Sequence, residues 1–391
     1  MSSRHPCSSR NSSLALLLLT LFSFCLENRA QEAPPASSNT SLLNQLAEPT
    51  SIGGFIDSYY DYNANLPSAN VNSYRSFDTT TNTPALNLVE LNFDKAPDAA
   101  QARFGYHVSV YYGHAADAIN TSASQDAGVD RWLKEGYLTY LAPIGKSGMV
   151  LDVGKFVTPA GAEVIETKDN WNYSRSLLFS YAIPYFHFGI RAKYTFSDKY
   201  TVTGFLMNGW NNLVYNVGGK PLTPGVSFAW SPTKKISLTQ TFMIGQEQPG
   251  NSSWRQLWDT VAAYNPNSKL SFMLNFDYGR GDRVPPTSSP VYWSGVAGYV
   301  KYAFHGKYAL ATRYEYLNDH NGFTTGTPQG LSEVTGTFER TFTSHVLSRI
   351  EYRRDFSSQS VFPLDNGPAS QNQDTATAGL VLIFNHSITQ K

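Results

Sequence analysis

The side chains best equipped for chemistry are scattered and poorly matched for catalysis. His107, His187, His305, His320 and His345 fall on different segments, and no two have the spacing of metal ligands. They read as lumen or turn histidines. Gly145-Lys146-Ser147 has the ending of a phosphate-binding loop. That motif needs a glycine five positions before its second glycine, and Tyr140 stands there, so the tripeptide reads as a turn. No Gly-x-Ser-x-Gly elbow occurs, and a serine hydrolase triad would have to be assembled in space. Arg280-Gly281-Asp282 spells an adhesion tripeptide and reads as coincidence in a glycine-rich loop. The expectation is no enzyme activity, no metal and no cofactor.

The informative chemistry is charge placed by alternation. From Ala102 to Gly113, Phe104, Tyr106, Val108, Val110 and Tyr112 share one face, and Arg103 and His107 the other. From Tyr185 to Phe196, an apolar face of Phe186, Phe188, Ile190 and Tyr194 opposes His187, Arg191 and Lys193. Leu270, Phe272, Leu274 and Phe276 oppose Asp277, and Ile350, Tyr352 and Phe356 oppose Arg349, Glu351 and Arg353. Arg313 and Glu315 alternate in the same way. This period of two is the signature of a half-buried strand.

Elements to carry those faces follow along the whole chain. Sixteen segments of about ten residues read as strands between residues 52 and 384. Three alternate poorly, at 131–142, 148–157 and 254–265. Short turns, such as 142–147, 197–198, 231–234, 266–268 and 305–306, alternate with long connections near 63–83, 113–130, 158–183, 210–222, 246–253, 281–290, 319–329 and 357–373. Alternation of turn length with strand parity belongs to outer-membrane barrels, with short periplasmic turns and long outer loops. An Arg or Lys on a lipid face costs about 2–4 kcal/mol at the midplane. The charged face therefore points inward, and Arg103, His107, His187, Arg191, Lys193, Asp277, Arg313, Glu315, Arg349, Glu351 and Arg353 become expected pore-lining residues.

Bulk composition agrees. The 391 residues carry 15% charged and 14% aromatic residues, with 30 basic and 30 acidic side chains, which gives no basic excess for nucleic acid. Residues 1–30 read as a signal peptide: Arg4 and Arg10 precede an apolar run, Leu14 to Leu26, of about 13 residues against the ~20 a membrane helix needs. Both cysteines, Cys7 and Cys25, lie in that segment. Residues 31–50 read as a periplasmic linker, 51–384 as the barrel and 385–391 as a C-terminal tail. The expected fold is an all-β, transmembrane antiparallel β-barrel of about 16 strands.

The last strand, Thr377-Ala378-Gly379-Leu380-Val381-Leu382-Ile383-Phe384, looks like the C-terminal signal read by barrel-assembly machinery. Longer blocks carry a family likeness: Gly54-Phe55-Ile56-Asp57-Ser58-Tyr59-Tyr60, Leu86-Asn87-Leu88, Gly154-Lys155-Phe156-Val157-Thr158-Pro159-Ala160-Gly161-Ala162-Glu163-Val164-Ile165-Glu166, Asn170-Trp171-Asn172-Tyr173-Ser174-Arg175, Asn208-Gly209-Trp210-Asn211-Asn212 and Glu351-Tyr352-Arg353-Arg354-Asp355. Across nearly all of the barrel the chain resembles the OmpL-like beta-barrel porin-2 family. The resemblance implies an outer-membrane barrel of porin type and implies no particular substrate.

Two uses of such a barrel stay open. One is a water-filled pore for passive diffusion of small hydrophilic solutes or ions; barrels of this size usually enclose an aqueous channel. The other is a structural or surface-interaction barrel whose loops bind a partner. Membrane lipid, lipopolysaccharide and, in a homo-oligomer, further copies of the chain are the expected neighbours. The connection 158–183 is the expected constriction. Its Trp171, Tyr173, Leu177, Leu178, Phe179 and Tyr181 would be disfavoured in water, and general porins fold their third loop inward. Its Glu163, Glu166 and Asp169, beside Lys168 and Arg175, would face a wall leaning basic and set up a transverse field.

Overall fold

The computed structural model describes residues 50–121, 128–213, 222–247, 253–284 and 289–388. The signal peptide assigned to 1–30 and nearly all of the linker lie outside the described residues. Among these, sixteen strands form one closed antiparallel barrel in which each strand pairs with its neighbours in sequence and β1 pairs with β16. The strands are β1 (Thr50–Asn63), β2 (Pro84–Lys95), β3 (Phe104–Tyr112), β4 (Leu133–Ala142), β5 (Met149–Val157), β6 (Phe186–Ser197), β7 (Tyr200–Met207) and β8 (Thr223–Thr233). They continue as β9 (Ile236–Gly245), β10 (Arg255–Tyr264), β11 (Leu270–Val284), β12 (Ser289–Phe304), β13 (Tyr308–Asp319), β14 (Gln329–Thr343), β15 (Val346–Ser357) and β16 (Asn372–Ile388). One helix, α1 (His114–Thr121), follows β3 and buries Ala115, Ala116 and Ile119.

Alternation gives the barrel two faces. Leu138, Phe196 and Ile350 are 65–67% exposed, which fixes their side as the lipid face. Aromatic rings concentrate near the short-turn rim, where Phe104 meets Tyr140 at 4.8 Å, Tyr264 stacks on Phe272 and Tyr308 stacks on Phe304 and Phe338. Such rings sit where lipid meets water. Arg340 faces outward in the same zone and lies 4.2 Å from the Phe342 centroid, so its charge stays at the interface.

The weakly alternating segments have physical reasons. In β4, Ser109 pairs with Glu135 but Val110 pairs with Leu133, so Lys134 is an extra residue in a bulge. A bulge turns two consecutive side chains to one side, and Lys134 and Glu135 are both buried. A second register shift between Asp57 and Ser58 does the same for Asn87 and Leu88. In β10 the inward face mixes Leu257, Val261 and Ala263 with Arg255 and Asp259, and the outward face mixes Trp258 and Tyr264 with Gln256 and Thr260, so neither reads as uniformly polar or apolar.

Two boundaries differ from the sequence expectation. Residues 281–284 and 289–290, expected within a long connection, are strand, because β11 continues to Val284 and β12 begins at Ser289. Residues 385–388, expected as tail, continue β16 and pair with Thr50 to Gly53. Extending the closing seam gives the first and last strands backbone partners over their full lengths.

Candidate functional site

The functional region is the lumen, and the connection between β5 and β6 fills it. Residues 158–185 enter the barrel from the long-loop end with little regular structure, a 3₁₀ turn at Thr167–Asp169 and a π turn at Leu178–Ala182. Buried backbone without a ladder must find other partners. Here the wall supplies them. The N–H groups of Tyr173 and Ser174 donate to the Glu351 carboxylate at 2.6 and 2.9 Å. Those of Leu177 and Leu178 donate to Glu315 at 2.5 and 3.1 Å. The carbonyls are held by arginines: Arg313 donates to Ser174 O at 2.8 Å, Arg353 to Arg175 O at 2.6 Å and Arg349 to Asn170 O at 2.5 Å. Wall carboxylates take the loop's donors and wall guanidiniums take its acceptors. A hydrogen bond to a charged group contributes about 1.5–3 kcal/mol.

Side chains extend this grip. Asp57 on β1 accepts from the Tyr173 hydroxyl at 2.9 Å and from Thr167 at 2.6 Å. Arg313 also pairs with Glu163 of the loop at 2.7 Å and with Glu333 at 2.6 Å. Glu166 pairs with Lys134, which holds Glu90 at 2.8 Å. Two glycines make room: a Cβ on Gly379 would meet the Tyr173 ring at 2.3 Å, and one on Gly295 would meet Leu178 at 2.7 Å.

The opposite wall is different in kind. Loop residues Ala160, Phe179 and Ile183 join Phe156, Phe205, Met207, Met243 and Leu257 of β5, β7, β9 and β10 in one apolar cluster. The loop is thus bonded to β13–β15, to β1 and, through Lys134, to β4; on the β5–β10 side apolar contact dominates, beside a long hydrogen bond from the Thr241 hydroxyl to Pro159 O at 3.5 Å.

The first long connection, 64–83, closes the mouth above. Phe77 packs on Phe179 and Tyr185 at 5.6 Å each. Arg75 pairs with Asp78 and, at 2.8 Å, with Asp355. Burial opposes its charge, but Asp355 and Asp78 more than offset this and hold Arg75 protonated above its usual range.

Alternation aims the expected pore-lining residues inward, but most do not touch water. Arg313, Glu315, Arg349, Glu351 and Arg353 are at most 2% exposed, as are Asp277 and His187. Arg313, Glu315, Arg349, Glu351 and Arg353 bond the inserted loop rather than line an aqueous pore, which corrects their expected role, whereas Asp277 is sealed in the wall and His187 lines a small cleft. The reason is that a loop without a ladder draws its polar partners from the wall. The expected field between acidic loop and basic wall is also revised. Glu163 and Glu166 are each neutralised by a contact pair, and Asp169 lies 53% exposed beside Lys168. Arg175 is not pore-facing: it donates to Tyr173 O at 2.5 Å and to Val164 O at 3.0 Å, and so staples the loop to itself.

The rest of the expected set surrounds an open vestibule at the short-turn end. Arg191 pairs with Asp152 at 2.6 Å, Lys193 is exposed, and Arg103 donates to Leu141 O at 3.2 Å. His107 sits between Asp94 and Glu135, 3.4 Å from the latter. Half-buried Thr201, Thr203 and Thr239 form its neutral wall. Above them, a small cleft between β6 and β10 is lined by His187, Trp210, Met243, Glu247, Arg255 and Leu257.

Sequence reasoning missed several partners. Asp57, Glu333, Glu339 and Asp355 lie on inward faces and followed from the same parity. Lys134 did not, because a bulge moves it, and Arg75 lies in a segment with no period.

A closed sixteen-strand barrel with a lipid-facing apolar surface and an inserted third loop is an outer-membrane barrel of porin type. The chain belongs to the beta-barrel porin-2, OmpL-like, family, whose model matches residues 49–384. No curated protein matches the sequence. Among solved structures, the fold resembles the anion-selective porin from Comamonas acidovorans (TM-score 0.57, 8% identity, 86% of this chain and 99% of that one). It also resembles the trimer form of the in-vitro folded outer-membrane protein OmpT of Vibrio cholerae (TM-score 0.56, 10% identity, 86% and 99%). A third likeness is the outer-membrane channel DcaP of Acinetobacter baumannii (TM-score 0.55, 10% identity, 86% and 97%). The protein resides in the bacterial outer membrane.

Proposed function

We propose that the protein is a narrow porin for small hydrophilic solutes or ions, and that its passage runs along the β5–β10 side of the inserted loop. The carrying observation is the asymmetry of the loop's attachment. On the β13–β1 side every shift of the loop would break charge-assisted hydrogen bonds. On the β5–β10 side it would mainly slide over Phe205, Met207, Met243 and Leu257, where hydrogen bonds are few and weak, such as the Thr241 hydroxyl to Pro159 O at 3.5 Å, and apolar contact has no preferred direction. The vestibule below and the cleft above lie on that same side. Family membership and the porin-like fold support a channel rather than an enzyme. A homo-oligomer is compatible with the trimer form of one structural neighbour.

One observation favours a second reading, a structural or surface-interaction barrel with no traffic: the mid-lumen side chains are sealed from water. Single-channel recording in a planar bilayer separates the two. Small, discrete conductance steps are expected from the folded barrel. A heat-modifiable, correctly folded protein that gives no steps would exclude the porin reading and leave the structural one.

A further inference from the structure

We propose that the passage prefers small anions and that Arg255 is the residue that selects them. The proposal rests on the porin reading above. Most lumen charges are neutralised in place, by contact pairs or by the loop's backbone, as with Arg313, Arg349 and Arg353. Arg255 differs from these, and unlike the sealed Lys155, Asp259 and Asp277 it is only half-buried. No carboxylate lies within salt-bridge distance of it among the described residues, and its Nε has no acceptor. Its guanidinium is held between two rings, 5.1 Å from the Trp210 centroid and 5.0 Å from that of Phe323. Planar stacking orients a guanidinium while leaving its edge free for an anion.

The cleft in front of Arg255 is a built site. His187 is fully buried, and its Nδ1 is 2.9 Å from the Gly209 carbonyl, so Nδ1 must carry the proton. Among the described residues its Nε2 has no partner, and it belongs to a residue that lines the cleft. An anion entering with a water can place that water against Nε2 and keep its own charge on Arg255. Glu247 shares the cleft and works against anions. Its oxygens are already engaged by the backbone N–H of Trp210 at 2.9 Å and by the Thr223 hydroxyl, and it is 5% exposed while Arg255 is half-buried. At the other end, the vestibule holds Arg103 and Lys193 without carboxylate partners among the described residues. The unpaired charge that a permeating ion meets is therefore positive at both ends. A fixed charge in a narrow, low-dielectric passage concentrates counter-ions strongly.

The test is the reversal potential in a KCl gradient, read on folded protein checked by its heat-modifiable mobility in SDS. The unmodified channel should be chloride-selective. Arg255→Gln should lower the chloride-to-potassium permeability ratio by roughly tenfold, and Arg255→Glu should reverse the preference. Glu247→Gln should raise the ratio. Lys193→Gln should change it little, because bulk salt screens the wide vestibule within about 8–10 Å. Cation selectivity in the unmodified channel, or an unchanged ratio in Arg255→Glu, overturns the proposal. Iodide quenching of Trp210 fluorescence, isolated by subtracting a Trp210→Phe variant, reports anion binding without current. Saturable quenching lost in Arg255→Gln supports the site even if no channel opens, in which case only the porin reading falls. Quenching that ignores Arg255 refutes the site even if channels open.

Discussion

Tyr173 of the inserted loop packs its ring against Gly379 of β16, on the inner surface of the seam that closes the barrel. The Tyr173 ring also tilts against Tyr59 at 5.6 Å, and its hydroxyl donates to Asp57. Only a hydrogen at position 379 leaves room for this ring, because a Cβ there would meet it at 2.3 Å. Valine at 379 keeps the strand and its outward neighbours Ala378 and Leu380, but removes the seat. Gly379→Val should therefore leave a folded, SDS-resistant barrel with a displaced loop. Trypsin cleavage after Lys168 or Arg175 should accelerate about tenfold or more, because local opening governs such cleavage, and channel conductance should rise. A cleavage rate equal to that of the parent would mean that the ring does not depend on this socket.

The wall charges should rank by what each leaves behind. Arg313 binds Glu163, Glu333 and a loop carbonyl, so Arg313→Met leaves buried Glu163 without a cation and Glu333 with Arg353 alone at 3.6 Å, and should cost about 3–5 kcal/mol. Glu315→Gln keeps the shape but loses the charge and turns one of the two accepting oxygens into a donor that faces Leu177 or Leu178, which should cost about 1–3 kcal/mol. The temperature at which the SDS-resistant form is lost should fall further for the first than for the second. The reverse order would show that the loop's N–H groups, not the ion pairs, hold it in place.

The barrel was legible because its code is local. Alternation, turn length and the lipid cost of charge each act over a few residues, so strand number and facing followed from the sequence. The state of the lumen was not, for a reason visible in Glu351 and Arg353. On a strand they look the same whether they face water or a buried backbone. What separates the cases is the partner, and their partners lie some 180 residues away, at Tyr173 and Arg175. The aromatic run in 158–183 signalled insertion but not how far it would close the barrel. Inward glycines such as Gly379 and Gly295 were an available clue, since an inward glycine marks close approach of another segment.

Asp259 and Asp277 face each other directly across β10 and β11, both inward and both at most 1% exposed. Asn275 donates to Asp259 at 2.9 Å, whereas neither oxygen of Asp277 has a donor among the described residues. Two buried carboxyl groups in contact cannot both ionise without cost, so one of them has to hold a proton. Asp277→Asn is nearly isosteric and lets an amide N–H meet Asp259. It should stabilise the barrel by about 1 kcal/mol or more, seen as a higher temperature for loss of the SDS-resistant form. A lower temperature would mean that Asp277 carries a partner that the substitution removes.

The three loop acids should separate in experiment as they separate in space. Glu163 is 5% exposed, receives the Ser176 N–H at 2.6 Å and pairs with Arg313. Glu166 pairs with Lys134 and is slightly more open, while Asp169 is exposed and touches only Lys168. Exposed pairs contribute about 0–1 kcal/mol, so Asp169→Asn should change neither stability nor current. Glu166→Gln should loosen the loop mildly, and its effect should depend on Lys134: in a Lys134→Met background it should largely vanish, because the pair is then already broken. Glu163→Gln should be the most damaging, because it leaves Arg313 short of one charge and weakens the turn at Ser176. Trypsin sensitivity of the loop and conductance, measured on each single variant, should rise in the order Asp169, Glu166, Glu163. If all three single changes shifted ion selectivity equally, the acids would be acting as a shared field across an open pore, and the contact pairs described here would not be what sets their effect.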